Sequence, residues 1–296
     1  MNKKLTMGFM LAGLVMGTVG CSFSISSPST PSEAEQVATV VAATMQAFTA
    51  VPTVDIPTQA ATERSGNIVS FENVSFVVPG GLADSASSDR MTAVASNSTA
   101  PWDIAPTHLR FTLTDYALQG KFHEPRIYMY PADDYAQSNP GAAEQIDRLR
   151  RILAGSPQMR ETLPAVPFFN ATPLIAANIQ LVSFQSGRGV RALTQYAQYA
   201  APVNNHELFY HFQGLTDDGR YYIVAVLPVT VPILADDETV EAPVPEGGVA
   251  IPANIGPNDV YYISVTQRLN ALAPDSYTPA LNDVDALVQS IQVTDP

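Results

Sequence analysis

The chain has 296 residues, of which 46% are hydrophobic and 15% charged, and a formal net charge of −13. An acid excess of this size repels phosphate backbones and gives no electrostatic help on anionic lipid, so nucleic acid is excluded as a partner class. Cys21 is the only cysteine, which rules out an intramolecular disulfide and a thiolate zinc site.

The N-terminus has the three parts of an export signal: the basic pair Lys3-Lys4, an uncharged apolar run from Leu5 to Val19, and Gly20 before Cys21. The apolar run is short for a permanent membrane span and suits a cleaved segment. Thr18-Val19-Gly20-Cys21 resembles the lipobox of bacterial lipoproteins, with Thr18 standing where that family usually has Leu. The resemblance implies cleavage before Cys21, thioether-linked diacylglycerol on Cys21, and a lipid anchor on the extracytoplasmic side of a cell membrane. A plain signal peptide followed by an idle cysteine is the alternative. Residues 1–20 are thus expected as signal peptide.

Residues 21–66 read as a lipid-anchored tether. Ser22 to Ser32 is rich in Ser and Pro and buries too little apolar surface to offset the entropy of ordering. Within 33–50, Val37, Val40, Val41, Thr44, Met45 and Phe48 recur at helical spacing and predict a short stalk helix. Residues 67–296 have globular composition and the length for one sizeable core.

In that domain the first predicted elements are strands at Ile68–Phe71 and Asn73–Val78, stopped by Pro79-Gly80-Gly81. The Ser- and Ala-rich stretch from Leu82 to Pro106 is expected to be irregular. Alternation predicts a half-buried strand over His108–Thr114, and Arg126–Tyr130 is the next. Gly141 to Ala154 carries an apolar stripe of Ala142, Ile146, Leu149 and Leu153, with Glu144–Arg148 and Asp147–Arg151 at favourable i,i+4 spacing. The basic run Arg148, Arg150, Arg151 is either an anion site or, by this pairing, a solvated face.

Strands over 178–184, 190–199, 207–215 and 220–229 read as an antiparallel meander, with Asp217-Asp218-Gly219 predicting a hairpin with a two-residue connection. Runs such as Ile223 to Leu227 are apolar on both alternations, so both sheet faces should be covered. Leu234 to Glu246 is an acidic loop. A helix is expected over 260–272, with a strand as the alternative its β-branched content allows, then a helix N-capped at Thr278-Pro279 with Leu281, Val284, Leu287, Val288 and Ile291 on its apolar face, and a last short strand at 291–293. The fold class is α+β: a largely antiparallel meander sheet with one mid-chain helix and two C-terminal helices packed on it. This arrangement is similar, in architecture and over the C-terminal half, to the α/β/α sandwich of the photosystem II extrinsic P-type subunits. Such likeness does not transfer function.

No motif names a chemistry. The histidines His108, His123, His206 and His211 form no HxH or HExxH pair, and strand parity would send His206 and His211 to opposite faces. Asp133-Asp134 and Asp236-Asp237-Glu238 offer oxygens for calcium but lack the alternation of an EF-loop. There is no GxSxG elbow and no SxxK. No catalytic residue, metal ligand or cofactor is assigned. Aromatic density in the meander (Tyr196, Tyr199, Phe209, Tyr210, Phe212, Tyr221, Tyr222), beside Arg188 and Arg191, reads as strand packing or as a face for a carbohydrate or an envelope protein. On the second reading the candidate ligand-binding residues are Arg188, Arg191, Tyr196 and Tyr210. The expected function is that of an exported, lipid-anchored lipoprotein with a non-enzymatic binding or structural role in the cell envelope. The alternative is an envelope hydrolase whose site is assembled from distant residues.

Overall fold

The computed structural model describes residues 66–95, 100–155, 163–239, 242–257 and 259–294. Its contacts separate Met1–Ala60 from Ala61–Pro296, and only the second unit is described. The expected signal peptide, the lipobox at Cys21, the tether and the 33–50 helix lie outside the described residues. Among the described residues no helix is long and apolar enough to cross a membrane.

The domain is α+β, built on a seven-stranded, wholly antiparallel sheet. In chain order the elements are β1 (Gly66–Phe71), β2 (Val74–Pro79), β3 (Ser85–Met91), β4 (His108–Thr114), β5 (Arg126–Pro131), α1 (Ala132–Ser138) and α2 (Pro140–Leu153). There follow β6 (Thr172–Pro173), β7 (Ala177–Phe184), β8 (Gly187–Thr194), β9 (Tyr196–Ala197), β10 (Phe209–Thr216), β11 (Tyr221–Pro228), α3 (Val260–Asn270), α4 (Leu281–Gln289) and β12 (Gln292–Val293). The large sheet has the order β3-β4-β5-β11-β10-β8-β7. It is two meanders, β3-β4-β5 and β7-β8-β10-β11, joined where β5 pairs with β11.

Both faces are covered, as the unbroken apolar run of β11 requires. One face presents Val190, Phe209, Leu215, Tyr222, Val224 and Val226 to the stripe Ala142, Ile146 and Leu149 of α2. The other presents Phe111, Ile127, Leu193, Tyr210, Phe212 and Ile223 to α3, α4 and the small sheet β1-β2-β12. The outer strands differ from the centre. β3 is exposed along most of its length and carries Asp89 and Arg90. β7 is broken by a bulge between Ala177 and Gln180, where Asn178 has φ of 50°. The Asn178 side chain donates to Leu269 O at 3.0 Å and to the Tyr277 hydroxyl at 2.9 Å, which pins the bulge to the end of α3.

The structure corrects three local expectations. The stretch from Leu82 to Pro106 is not wholly irregular: Ser85–Met91 forms β3, because the exposed row beside β4 has backbone groups to pair even with a polar sequence. The hairpin joining β10 to β11 has a four-residue connection, Asp217 to Arg220, and not two. Gly219 alone takes a positive φ, 73°, while a two-residue type I′ turn needs two such residues. The Asp218 carboxylate holds the turn by accepting from the Thr216 hydroxyl and the Arg220 amide. Thr278 does not cap α4; its backbone forms a bridge with Thr230, and the helix starts later, with Ala280 at the cap position. On α2 the Glu144–Arg148 pair forms as expected at 2.7 Å, and Asp147 pairs with Arg150 at 3.1 Å.

Candidate functional site

At the end of the sheet where β8 ends and β10 begins, four loops are tied together by backbone and amide hydrogen bonds. The Asn139 side chain caps α2 through Oδ1, which accepts from the Gly141 amide at 2.9 Å. Its Nδ2 donates to Pro101 O and Ile104 O, and so fixes the loop that carries Trp102. The Phe122 amide donates to His206 O at 3.0 Å. Asn204 Oδ1 accepts from the amides of His206 and Glu207, an Asx turn that leads into β10. Asn205 donates to Val231 O and Leu234 O and thereby holds the acidic loop alongside. A further strap is made by β6, paired with β9.

These loops enclose a cavity of about 490 Å³, within the range usual for small-molecule sites. Its aromatic walls are Trp102, Phe122, Phe168, Phe169, Tyr196 and Tyr199. Three of these are far from buried: Trp102 is 44% exposed, Tyr199 60% and Phe122 62%. Below them Phe169 packs against His123, Tyr196 and Phe209 with ring centroids 5.2, 4.7 and 5.7 Å apart. The rim is therefore open, above half-buried rings that pack on the buried Phe209.

Two carboxylates face the same cavity, Glu207 and Glu238. Glu207 Oε2 accepts from Gln195 Nε2 at 2.7 Å and Asn204 Nδ2 at 3.3 Å. Gln195 is itself fully buried, and its Oε1 accepts from the Asn204 amide, so the Glu207 side chain has a fixed support. Partial burial raises its carboxyl above the ordinary range, and the neighbouring Glu238 adds to this, against the opposing Asn204 hydrogen bond. The Tyr199 hydroxyl donates to Glu238, and that bond raises the phenol. His123 is pushed down to about 4 by burial first, then by His211 and His206.

His206 and His211 are therefore not separated by strand parity. β10 begins only at Phe209, so His206 sits in the preceding turn, and both histidines lie close enough to His123 to act on it. His211 is buried between β10 and the 163–166 segment, with Nε2 2.8 Å from Val166 O, and burial takes it down to about 4. It lines a second, smaller cavity of about 310 Å³ with Ile179, Val190 and Gln213.

The four candidate binding residues do not form one face. Tyr196 lines both cavities. Arg188 is exposed, opposite Leu215 near the far end of β8. Arg191 and Tyr210 lie on the opposite sheet face, buried under α4. There Arg191 Nη1 donates to Asn178 O at 2.6 Å and Nη2 to Gln180 Oε1 at 2.7 Å, and Nε lies 3.3 Å from Asp285 Oδ1. The Tyr210 hydroxyl donates to the same Asp285 oxygen at 2.8 Å, beneath the guanidinium. This is a polar network packed between sheet and helix: Arg191 and Tyr210 are buried, Asp285 and the exposed Gln180 form its outer side, and Arg191 also lines the smaller cavity with Tyr196. Of the aromatic series in the meander, Phe209, Tyr210, Phe212 and Tyr222 are core, and Tyr199 is the rim residue.

Sequence reasoning missed Trp102, Phe122, Phe168, Phe169 and Glu207, and weighed His123 and Glu238 only as metal ligands. Their one signal is large aromatic residues in segments without periodicity, the sole tryptophan among them. Among the described residues no group of three or more His, Cys, Asp or Glu is placed to hold a metal ion. Asp237 instead accepts from the Thr239 amide within its own loop. No protein-family model, curated protein or solved structure matches the chain.

Proposed function

We propose that the chain is an exported lipoprotein, anchored through acylated Cys21, whose domain is a non-enzymatic module that binds a small organic ligand at the outer side of a cell membrane. The observation that carries the binding reading is the rim of Trp102, Phe122 and Tyr199, exposed around a cavity lined more deeply by the half-buried Phe168, Phe169 and Tyr196. Large aromatic side chains left in solvent at a concave site gain their burial from a ligand. The anchoring reading is supported by Lys3-Lys4, the apolar run and the lipobox-like Thr18-Val19-Gly20-Cys21.

Trp102 is the single tryptophan of the chain, so its emission reports on the cavity alone. A saturable change on titrating the full chain with small-molecule extracts of the growth medium or envelope is expected, and a flat response would refute the binding reading. The anchor is tested separately: Cys21→Ser should leave the protein uncleaved or release it from the membrane fraction. Mass spectrometry showing an unmodified Cys21 in wild-type membranes would refute it.

One observation favours a second reading, an envelope hydrolase. Glu207 is a carboxyl raised above its ordinary range beside a second carboxylate in an open cleft, an arrangement used in acid–base catalysis. Among the described residues no serine or threonine hydroxyl bonds a histidine, so a hydrolase here would work through these carboxylates. Turnover of a chromogenic glycoside, abolished in Glu207→Gln, would establish it.

A further inference from the structure

We infer that the aromatic cavity takes an organic cation, an alkylammonium group seated between the exposed rings and the carboxylates of Glu207 and Glu238. The inference rests on the binding reading above and names its ligand class. Three observations point the same way. The walls are aromatic rings, whose faces carry the negative side of the aromatic quadrupole and attract a cation within about 6 Å of the centroid. The two charged side chains that line the cavity are both carboxylates, and no lysine or arginine is among its lining residues. The one basic ring among the lining residues, His123, is held well below its ordinary pKa by burial and by its histidine neighbours, so it brings no positive charge against the ligand.

The carboxylates are also set up to receive one. Among the described residues the hydrogen bonds made to Glu207 and Glu238 all use Oε2: Gln195 and Asn204 donate to the first, Tyr199 to the second. Each Oε1 is left for a partner. Two carboxylates held at one site repel each other, and Glu238 helps to keep the Glu207 carboxyl raised; a cation between them removes that repulsion. The net charge of −13 adds a long-range field that draws cations toward the domain and turns anions away. A neutral sugar would use the rings but gain nothing from the missing positive side chains or from the field.

The test uses the full chain in nonionic detergent, Trp102 emission as the readout, and two probes of nearly equal shape: choline and its uncharged carbon analogue dimethylbutanol. Choline should give a saturable change, with dimethylbutanol weaker by at least about tenfold. Glu238→Gln, at an exposed loop position, should weaken choline by about tenfold, in line with loss of one close opposite charge, and leave dimethylbutanol unchanged. Calorimetry with Phe122→Ala should show a smaller loss for choline from the missing ring. Equal binding of the two probes, or a saturable response to cellobiose and none to choline, overturns the cation inference and leaves the cavity as a ligand site. No response to choline, dimethylbutanol or cellobiose overturns the cation inference and removes support for the cavity as a binding site as well.

Discussion

Replacing Asp285 by asparagine tests whether Arg191 belongs to the core or to a recognition face. Arg191 is 2% exposed and Asp285 15%, and the guanidinium Nε lies 3.3 Å from Oδ1. Coulomb's law at that separation, with an effective dielectric of about 20, gives an attraction of about 5 kcal/mol, much of it offset by the desolvation of both groups. Removing one partner of such a pair leaves the other charge stranded and typically costs about 3–5 kcal/mol. Here asparagine keeps an acceptor for the Tyr210 hydroxyl, and Asn178 and Gln180 still bond the guanidinium. The expected loss for Asp285→Asn is therefore toward the lower end, about 2–3 kcal/mol. For a domain of this size that lowers the melting temperature by about 5–10 °C. Urea unfolding of the full chain, followed by circular dichroism, gives the value. Replacing both partners, Arg191→Met with Asp285→Leu, should recover more than half of the loss, because the burden is the unpaired charge. A loss below about 0.5 kcal/mol would refute the packed-network reasoning. So would a variant of unchanged stability whose Trp102 response to ligand disappears, since the network and the cavity lie on opposite sheet faces.

Two other perturbations read different regions of the same structure. Gly189 faces Gly214 across β8 and β10, and a Cβ on it would lie 2.3 Å from Gln213 O and 2.5 Å from the Phe212 ring. Gly189→Ala must push these central strands apart, so a loss of at least about 2 kcal/mol in urea unfolding is expected, and a neutral result would show that β8 and β10 are not this close. The pH dependence follows from His123 and His211, both taken from an ordinary 6.5 down to about 4 by burial. Between those values the unfolded chain binds protons that the folded chain does not, so stability should fall as pH drops from about 6.5 toward 4 and be insensitive to these groups above about 7. Each histidine contributes a slope of at most about 1.4 kcal/mol per pH unit. Urea midpoints across that range in wild type and His211→Gln should show a shallower slope in the variant; parallel slopes would mean that His211 is not buried neutral.

The sheet was legible in the sequence, and the site was not. Alternation in His108–Thr114 and the double-sided apolar run of β11 are consequences of burial, which periodicity reports directly. The stripe of α2 is legible for the same reason. β3 escaped because its sequence, Ser-Ala-Ser-Ser-Asp-Arg-Met, has neither β-branched residues nor a buried face; its order comes from the neighbouring strand. The cavity escaped because it is made by loops from four distant places, joined through Asn139, Asn204 and Asn205. Amide side chains that bond backbone carbonyls leave no periodic trace. The arginines and tyrosines that read either as strand packing or as a recognition face have a composition common to both, and only the register of β8 against β10 tells the two apart.

The two outer strands of the large sheet bear on how the molecule behaves among its own copies. On the lipid-anchored reading proposed above, copies share one plane, where a bare strand edge invites end-on growth of one sheet from another. Neither edge offers a straight template. On one side Arg90 is paired with Glu72 and Asp89 with Arg110, so a docking strand would have to displace charged side chains. On the other the backbone turns through Asn178 and gives its amide to Asn270 Oδ1 at 2.6 Å, so the row of donors is interrupted and partly spent. Sheet-to-sheet growth through either outer strand of the large sheet is thus disfavoured.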